Sequence, residues 1–286
     1  LKPVLATFLD KPGSGEAWFN LFSASLDETT TQRRGARFGP MAVRLQSAHL
    51  ETFNPATGLG WEDIELVDHG EVEFTGVEDC LEAVSKAVGE LGGLPILLGG
   101  EHTVTLGALR GLKPTLALVF DAHLDLRDEL WDIRVGHATW LRRAVEEGVE
   151  ALVVGARALS REEVEYVASN GEVAYISAQE FRRRREECLR EIRARVEPHQ
   201  RVYVSLDMDV LDPAFAPAVG NPSPGGLTTW ELEQALEAAM GGPVVGLDLC
   251  EVYPHYDHGV TAATGAHLVL WGLHHYLASH GEGLGG

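Results

Sequence analysis

The chain has 286 residues, 45% of them hydrophobic and 7% aromatic, and a formal charge of −20 at neutral pH. That length and apolar content support a sizeable core, in one large α/β domain or two ordinary ones, while no apolar run reaches the roughly 18–20 residues of a membrane span. The acidity argues against a nucleic-acid binder, which needs a basic face for phosphates, and favours cationic small molecules. Cys80, Cys188 and Cys250 are odd in number and outside any CxxC spacing, so free thiols in a reducing compartment are expected rather than a disulfide frame. No secretory-leader pattern is read in the first residues. A cytoplasmic protein with neither membrane nor nucleic-acid partners is the expectation.

In chain order, short β-branched runs alternate with helical patterns. Helix is predicted over 77–91, then strands over 94–100 ("LPILLGG") and 115–123 ("TLALVFDAH"). Helix 137–147, strand 151–157, helix 160–170 and strand 173–177 follow. A single helix is predicted over 178–196, "AQEFRRRREECLREIRARV", whose arginines mix with Glu and read as a solvated face. Strand 201–210, helix 228–240, strand 243–252 and an amphipathic C-terminal helix around "LHHYLAS" complete the series, and a frayed tail is expected over 280–286. Ser160 with Glu163, and Thr228 with Glu231, have capping-box spacing at two helix starts. The alternation predicts a mostly parallel sheet with helices on both faces. With neither repeat nor linker, one α/β domain spanning 1–286 is expected.

Such sheets gather ligands outside the carboxyl ends of their strands, and four of the six predicted strands end in potential ligands. Strand 94–100 is followed by His102, after two glycines that would permit a tight turn. Strand 115–123 runs into Asp121, His123 and Asp125, spaced by two so that an extended chain would place them on one face. Strand 201–210 contains Asp207 and Asp209, and strand 243–252 ends near Asp248 and Glu251. Three acceptors crowded at one point repel unless a cation lies between them. Two imidazoles and four carboxylates are too many for one tetrahedral zinc. Hard oxygen donors with some imidazole suit Mn²⁺, and the four carboxylates match two divalent ions, the pattern of binuclear hydrolases.

The segments "LGGEHTVTLGALRG" (98–111), "ALVFDAHLD" (117–125) and "SLDMDVLDPAFAPAVGNPSPGG" (205–226) resemble the three signatures of the ureohydrolase family, which includes arginases and agmatinases. "GARFGPMAVR" (35–44) and "EVYPHYD" (251–257) match further family blocks in the same order. The resemblance covers roughly residues 33–280 and implies a three-layer α-β-α sandwich, two Mn²⁺ ions, a guanidino substrate and a homo-oligomer, a trimer or hexamer. It further implies one ion on His102, Asp121, Asp125 and Asp207, and the other on His123, Asp121, Asp207 and Asp209. By the same resemblance His137 is a proton shuttle and Glu251 grips the guanidinium. Asn221 stands where the family more often has threonine, near the pocket mouth.

Among substrates, agmatine is expected, because the stretch 126–137 carries Asp128, Glu129 and Asp132, which would suit an ammonium tail. Arg127 and Arg134 point instead to a carboxylate, so guanidinobutyrate, arginine and formiminoglutamate stay open, as does a non-catalytic protein of the same fold. Asp248 reads as a partner orienting a ligand and Asp212 as fixing the turn after the metal acids. His255 and His258 read as polar loop residues, His274 and His275 as surface or packing residues, and Trp140 and Trp271 as core or interface aromatics.

Overall fold

The computed structural model describes residues 1–11 and 17–281. In chain order its elements are β1 (Phe19–Ala24), α1 (Gly39–Ser47), β2 (Leu66–Glu71), α2 (Val77–Glu90), β3 (Leu94–Gly99), α3 (Val104–Leu112), β4 (Leu116–Phe120), α4 (Trp140–Glu146), β5 (Glu150–Ala156), α5 (Arg161–Ser169), β6 (Val173–Ser177), α6 (Ala178–Arg183), α7 (Arg185–Val196), β7 (Val202–Asp207), α8 (Thr229–Met240), β8 (Val244–Cys250) and α9 (Val260–His280). The strands form one eight-stranded sheet, ordered β2-β1-β3-β8-β7-β4-β5-β6. Every described pairing is parallel.

Alternation along each strand divides the core in two. Leu116, Leu118 and Phe120 of β4 and Leu152 and Val154 of β5 face a layer made by α1 and α6–α9. Ala117, Val119, Ala151 and Val153 face the layer of α2–α4. Both faces are therefore buried, and the strands read as continuous apolar runs, as parallel strands covered by helices must. The expected α-β-α sandwich is what forms. Among the described residues no helix is long and apolar enough to cross a membrane.

Two strands and two helices have weak sequence signatures. β2, "LVDHGE", carries Asp68, which is buried as an ion pair: Arg44 Nε and Nη2 donate to its two carboxylate oxygens at 2.8 and 2.9 Å. The backbone N–H groups of Phe8 and Gly70 donate to the same carboxylate. A charge inside a strand thus masks β2, and Asn20 and Ser23 interrupt β1. In α1 a Gly-Pro start hides the helix, and in α3 Gly107 and Gly111 do. A Cβ at Gly107 would stand 2.7 Å from Leu81 O, so those glycines let α3 lie against α2.

Three expectations are corrected. The predicted helix 178–196 breaks at Arg184, whose φ of −135° and ψ of 43° lie outside the helical region. The break separates like charges. Arg184 reaches Glu180 and Glu187, Arg185 stacks over Trp230, and Arg182 donates to the carbonyls of Gly225 and Gly226. The helix predicted from 137 begins only at Trp140, leaving His137 in the preceding turn. The C-terminal helix α9 buries residues on most of its faces, His274 and His275 among them, so these two are packing residues; of the tail, 282–286 lies outside the described residues. Both predicted capping boxes form, at Ser160/Glu163 and Thr228/Glu231.

Asp68→Ala leaves the Arg44 guanidinium buried and unpaired, and breaking such a pair costs about 3–5 kcal/mol. A large drop in the denaturation midpoint is expected, and an unchanged midpoint would contradict the pairing.

Candidate metal centre and active site

The four strands that end in acids and histidines, β3, β8, β7 and β4, are consecutive in the middle of the sheet. Sequence-distant carboxylates therefore meet at one place. They do so at and just beyond the strand ends, since β4 stops at Phe120 and β7 ends on Asp207 itself. Asp121, His123 and Asp125 do not share a strand face as the spacing suggests. They converge because the chain turns sharply, with Asp125 at φ 51°. Glu251, one residue past β8, is also left-handed, at φ 64°. Such backbone costs a non-glycine residue roughly 1–3 kcal/mol and persists where surrounding contacts enforce it.

His102 Nδ1 is buried without a hydrogen-bond partner. It faces Asp121 Oδ2 at 3.1 Å, Asp207 Oδ2 at 3.2 Å and Asp125 Oδ2 at 3.5 Å. His123 Nδ1 lies 3.0 Å from Asp209 Oδ2 and 3.4 Å from Asp121 Oδ1. The side chains fall into two clusters suited to a metal ion, His102/Asp121/Asp125 and His123/Asp121/Asp209, with Asp121 common to both. Asp207 joins the first through His102, and its Oδ1 accepts from the Asp209 N–H at 2.7 Å.

The electrostatics reflect this crowding. Burial, reinforced by Asp209 and Asp121, pushes Asp207 well above the ordinary carboxylate range. Burial works against the Asp209 carboxylate too, yet the facing His123 holds it at about 2. Burial disfavours the charged forms of His102 and His123, but the surrounding acids raise both imidazoles well above their usual value. A bound cation would take the place of the protons that burial otherwise forces onto Asp207 and the two imidazoles. The orphaned Nδ1 of His102 and the all-oxygen-and-imidazole donor set fit a pair of hard divalent ions.

Residues behind the ligands fix their orientation. His102 Nε2 is 2.8 Å from Ser205 Oγ, which donates to Asp248 Oδ1 at 2.6 Å. Thr105 and Tyr203 hydroxyls donate to Asp248 Oδ2. This chain engages Nε2 and turns Nδ1 toward the acids, so Nδ1 is the ring atom that would meet a cation there. Asp248 is thus an orienting partner, as the sequence suggests. Glu101 is fully buried, with no cationic side chain paired to it among the described residues. It accepts from the N–H groups of Glu28 and Thr29 and from the hydroxyls of Thr29 and Thr103. Thr29 Oγ1 also accepts from the His137 N–H at 3.0 Å, so the loop before α1 holds His137. The two glycines before His102 serve close packing rather than an unusual φ: a Cβ on Gly100 would collide with Leu26 O, and one on Gly99 with Cys250 Sγ.

A cavity of about 330 Å³ lies over the two clusters. Glu251 lines it, with Oε1 taking the His102 N–H at 2.8 Å, and burial lifts its pKa to about 8. His137 lines it with a buried Nε2 that has no protein partner. Thr31, Gln32, Arg127, Asn221 and Ser223 add polar groups to the wall, with Leu130, Ala138 and Pro222 beside them; of the polar ones, the sequence gives no signal for Thr31 or Gln32. Gly220 has to be glycine, because a Cβ there would come within 2.8 Å of both Glu251 Oε2 and Tyr253 Oη. Arg157 ties the mouth to the floor, donating to the carbonyls of Ser223, Gly155, Asp209, Val210 and Leu211. Asp212 caps the adjoining turn through the N–H groups of Ala214, Gly225 and Gly226.

The acids of 126–137 are placed otherwise than expected. Asp128 is held by Arg143 and Arg134, and neither it nor Glu129 nor Asp132 lines the cavity, whereas Arg127 does. His255 and His258 also lie outside its lining. A larger groove of about 920 Å³ opens at the opposite end of the sheet, beside Trp18, Asn20, Leu94 and Tyr276. Among the described residues the metal-ligand clusters belong to the smaller cavity.

Residues 18–273 match the sequence profile of the arginase family. The chain belongs to the arginase family. It is 34% identical to the N(1)-aminopropylagmatine ureohydrolase of Thermococcus kodakarensis, over 90% of each chain. It is 35% identical to the guanidinobutyrase of Pseudomonas aeruginosa, over 85% of this chain and 82% of that one. The structure superposes on the agmatine ureohydrolase of Thermoplasma volcanium with a TM-score of 0.86, at 32% identity, covering 93% and 92% of the two chains. As an arginase-family ureohydrolase, the chain has its His/Asp clusters at the centre of the shared sheet.

Thr29→Val removes a hydroxyl that serves both Glu101 and His137, and an unmet buried donor or acceptor costs about 1–3 kcal/mol. Denaturant titration is expected to show a lowered midpoint with an unchanged slope, whereas wild-type stability would show that the hydroxyl is dispensable.

Proposed function

We propose that this ureohydrolase holds two Mn²⁺ ions and cleaves agmatine to urea and putrescine. The observation that carries the metal reading is the pair of His/carboxylate clusters sharing Asp121, of which His102, His123, Asp125 and Asp209 line the cavity. His102, Asp121, Asp125 and Asp207 would hold one ion. His123, Asp121, Asp207 and Asp209 would hold the other. When bound, the two ions supply Lewis-acid charge and lower the pKa of water toward neutrality.

The chain's own residues do the rest. Glu251, buried and tethered to the His102 amide, receives the guanidinium by a charge-assisted contact and sets its carbon over the floor. His137, a residue of the cavity wall whose Nε2 has no protein partner among the described residues, takes and returns a proton at that atom. Asp209, held ionised by His123, is the alternative proton carrier. A water molecule adds its oxygen to the guanidinium carbon and gives up a proton to that carrier. As the C–N bond to the alkyl chain breaks, the departing nitrogen takes the proton and leaves as a primary amine, and the carbon leaves as urea.

Agmatine is supported by the net charge of −20, which steers cations toward the cavity, and by the name of the Thermoplasma relative, with the Thermococcus relative named for an aminopropyl derivative of agmatine. Arg127 in the cavity wall supports a second reading, a guanidino acid whose carboxylate pairs with that guanidinium, in line with the guanidinobutyrase relative.

Urea release with agmatine, arginine and 4-guanidinobutyrate measured side by side separates the two. Agmatine is expected to be preferred, with Arg127→Met changing its kcat/KM by no more than about threefold, the scale of a lost exposed charge contact. Preference for 4-guanidinobutyrate, lost in Arg127→Met, would install the second reading. Asp209→Asn is expected to give a folded protein with reduced manganese content and urea release lowered by about 10²–10⁴, the range of general acid–base contributions. Near-normal turnover in Asp209→Asn would overturn the mechanism.

A further inference from the structure

Trp140 opens α4 and is fully buried, which by itself marks only a core aromatic. Its polar edge is not in the core, however. Indole Nε1 donates to Asp125 Oδ2 at 2.8 Å, and this is the oxygen that faces His102 Nδ1 at 3.5 Å. The ring also lies against the imidazole of His102, with centroids 4.6 Å apart and planes at 45°. One turn of α4 holds the main chain of the same aspartate, since the Arg142 N–H donates to Asp125 O at 3.2 Å. Trp140 N in turn donates to Gly136 O, fixing the helix start to the loop that bears His137.

We infer that Trp140 is a positioning residue for the metal position formed by His102 and Asp125, an inference that rests on the binuclear reading above. Asp125 needs such a support because its backbone is left-handed, at φ 51°, and its carboxylate stands among like charges. An indole suits the place chemically. Its N–H is a donor with no lone pair to offer, so it cannot titrate, compete for the cation or accept a proton meant for the substrate. It satisfies one lone pair of Oδ2 and aims the other at the point that His102 Nδ1 and Asp121 also face. The effect is confined to one side of the centre: His123 and Asp209 make no contact of this kind with Trp140 among the described hydrogen bonds and ring contacts.

Loss of a hydrogen bond behind a metal ligand typically weakens binding 10–100-fold. The test uses manganese-loaded wild type, Trp140→Phe and, as a packing control, Leu141→Ala, whose buried side chain belongs to the core under α4. Each is challenged with graded chelator, and manganese retained per chain is measured beside the melting temperature. Two ions are expected in wild type and in Leu141→Ala. Trp140→Phe is expected to release one ion at roughly 10–100-fold lower chelator strength while the other leaves as in wild type. Equal retention in Trp140→Phe and wild type would overturn the positioning role alone. Parallel loss of both ions in step with melting, matched by Leu141→Ala, would do the same. A wild type that retains no manganese would sink the binuclear reading and this inference together.

A second measurement reads the indole itself. In the magnesium-loaded wild type the Trp140 indole N–H is expected among the exchange-protected signals of the proton–nitrogen spectrum, absent in Trp140→Phe, and is expected to broaden away when manganese replaces magnesium. Persistence of every protected indole signal with manganese bound would place Trp140 outside the metal's reach and overturn the proposal.

Discussion

Four carboxylates and two imidazoles pressed together at the ends of adjacent strands make the electrostatic constraint on which this molecule turns. Left to themselves Asp121, Asp125, Asp207 and Asp209 would repel one another across a few ångströms, in surroundings where water does little to screen them. The fold keeps them together by enclosing each in fixed donors: the Asp209 N–H on Asp207, the His123 N–H on Asp121, the Ala122 N–H on Asp209, the Trp140 indole on Asp125. What those donors cannot neutralise is left for cations. The sheet order follows from the same demand, because only the adjacency of β3, β8, β7 and β4 brings acids more than eighty positions apart in the chain to one floor.

Much of this is readable from the residues, and the part that is not has identifiable causes. The strands bearing ligands are conspicuous because they are buried on both faces and end abruptly in charge. β1 and β2 escape notice because their interiors hold Asn20, Ser23 and Asp68, polar groups satisfied in large part by partners distant in sequence, Arg44 and Gly92 among them. Period-two spacing finds Asp121, His123 and Asp125 but assigns them the wrong backbone; the turn, with its left-handed aspartate, is imposed by tertiary contacts that spacing does not encode. Ser205 and Glu101 sit beside recognised ligands and could be suspected from that adjacency. Thr29 could not, since its role is created by a loop folding back onto Glu101 and His137. The acids of 126–137 show the converse error. Charge counted along a loop says nothing about direction, and Arg143, on the helix that follows, draws Asp128 away from the cavity.

The supports of the centre differ in kind on its two sides. Behind His102 stand Ser205, Asp248, Tyr203 and Thr105, all from β7, β8 and α3, the rigid middle of the fold. On the cavity side, His137 hangs from Thr29 and Glu101, that is, from loops. A rigid metal floor under a wall of loops lets one chemistry be aimed at differently shaped tails, consistent with relatives of about one-third identity that carry different substrate names.

Arg157 gives that division of labour an evolutionary edge. By collecting carbonyls from the segment after Asp209 and from Ser223 at the mouth, it makes the glycine-rich loop and the ligand loop a single mechanical body. Sequence drift in 219–226 would therefore be felt at the metals as well as at the substrate, and selection should police it. The side chains of Gln32 and Arg127, which line the same cavity, make no hydrogen bond to that body among the described hydrogen bonds. They are where a lineage can change its diet while leaving its catalytic chemistry untouched.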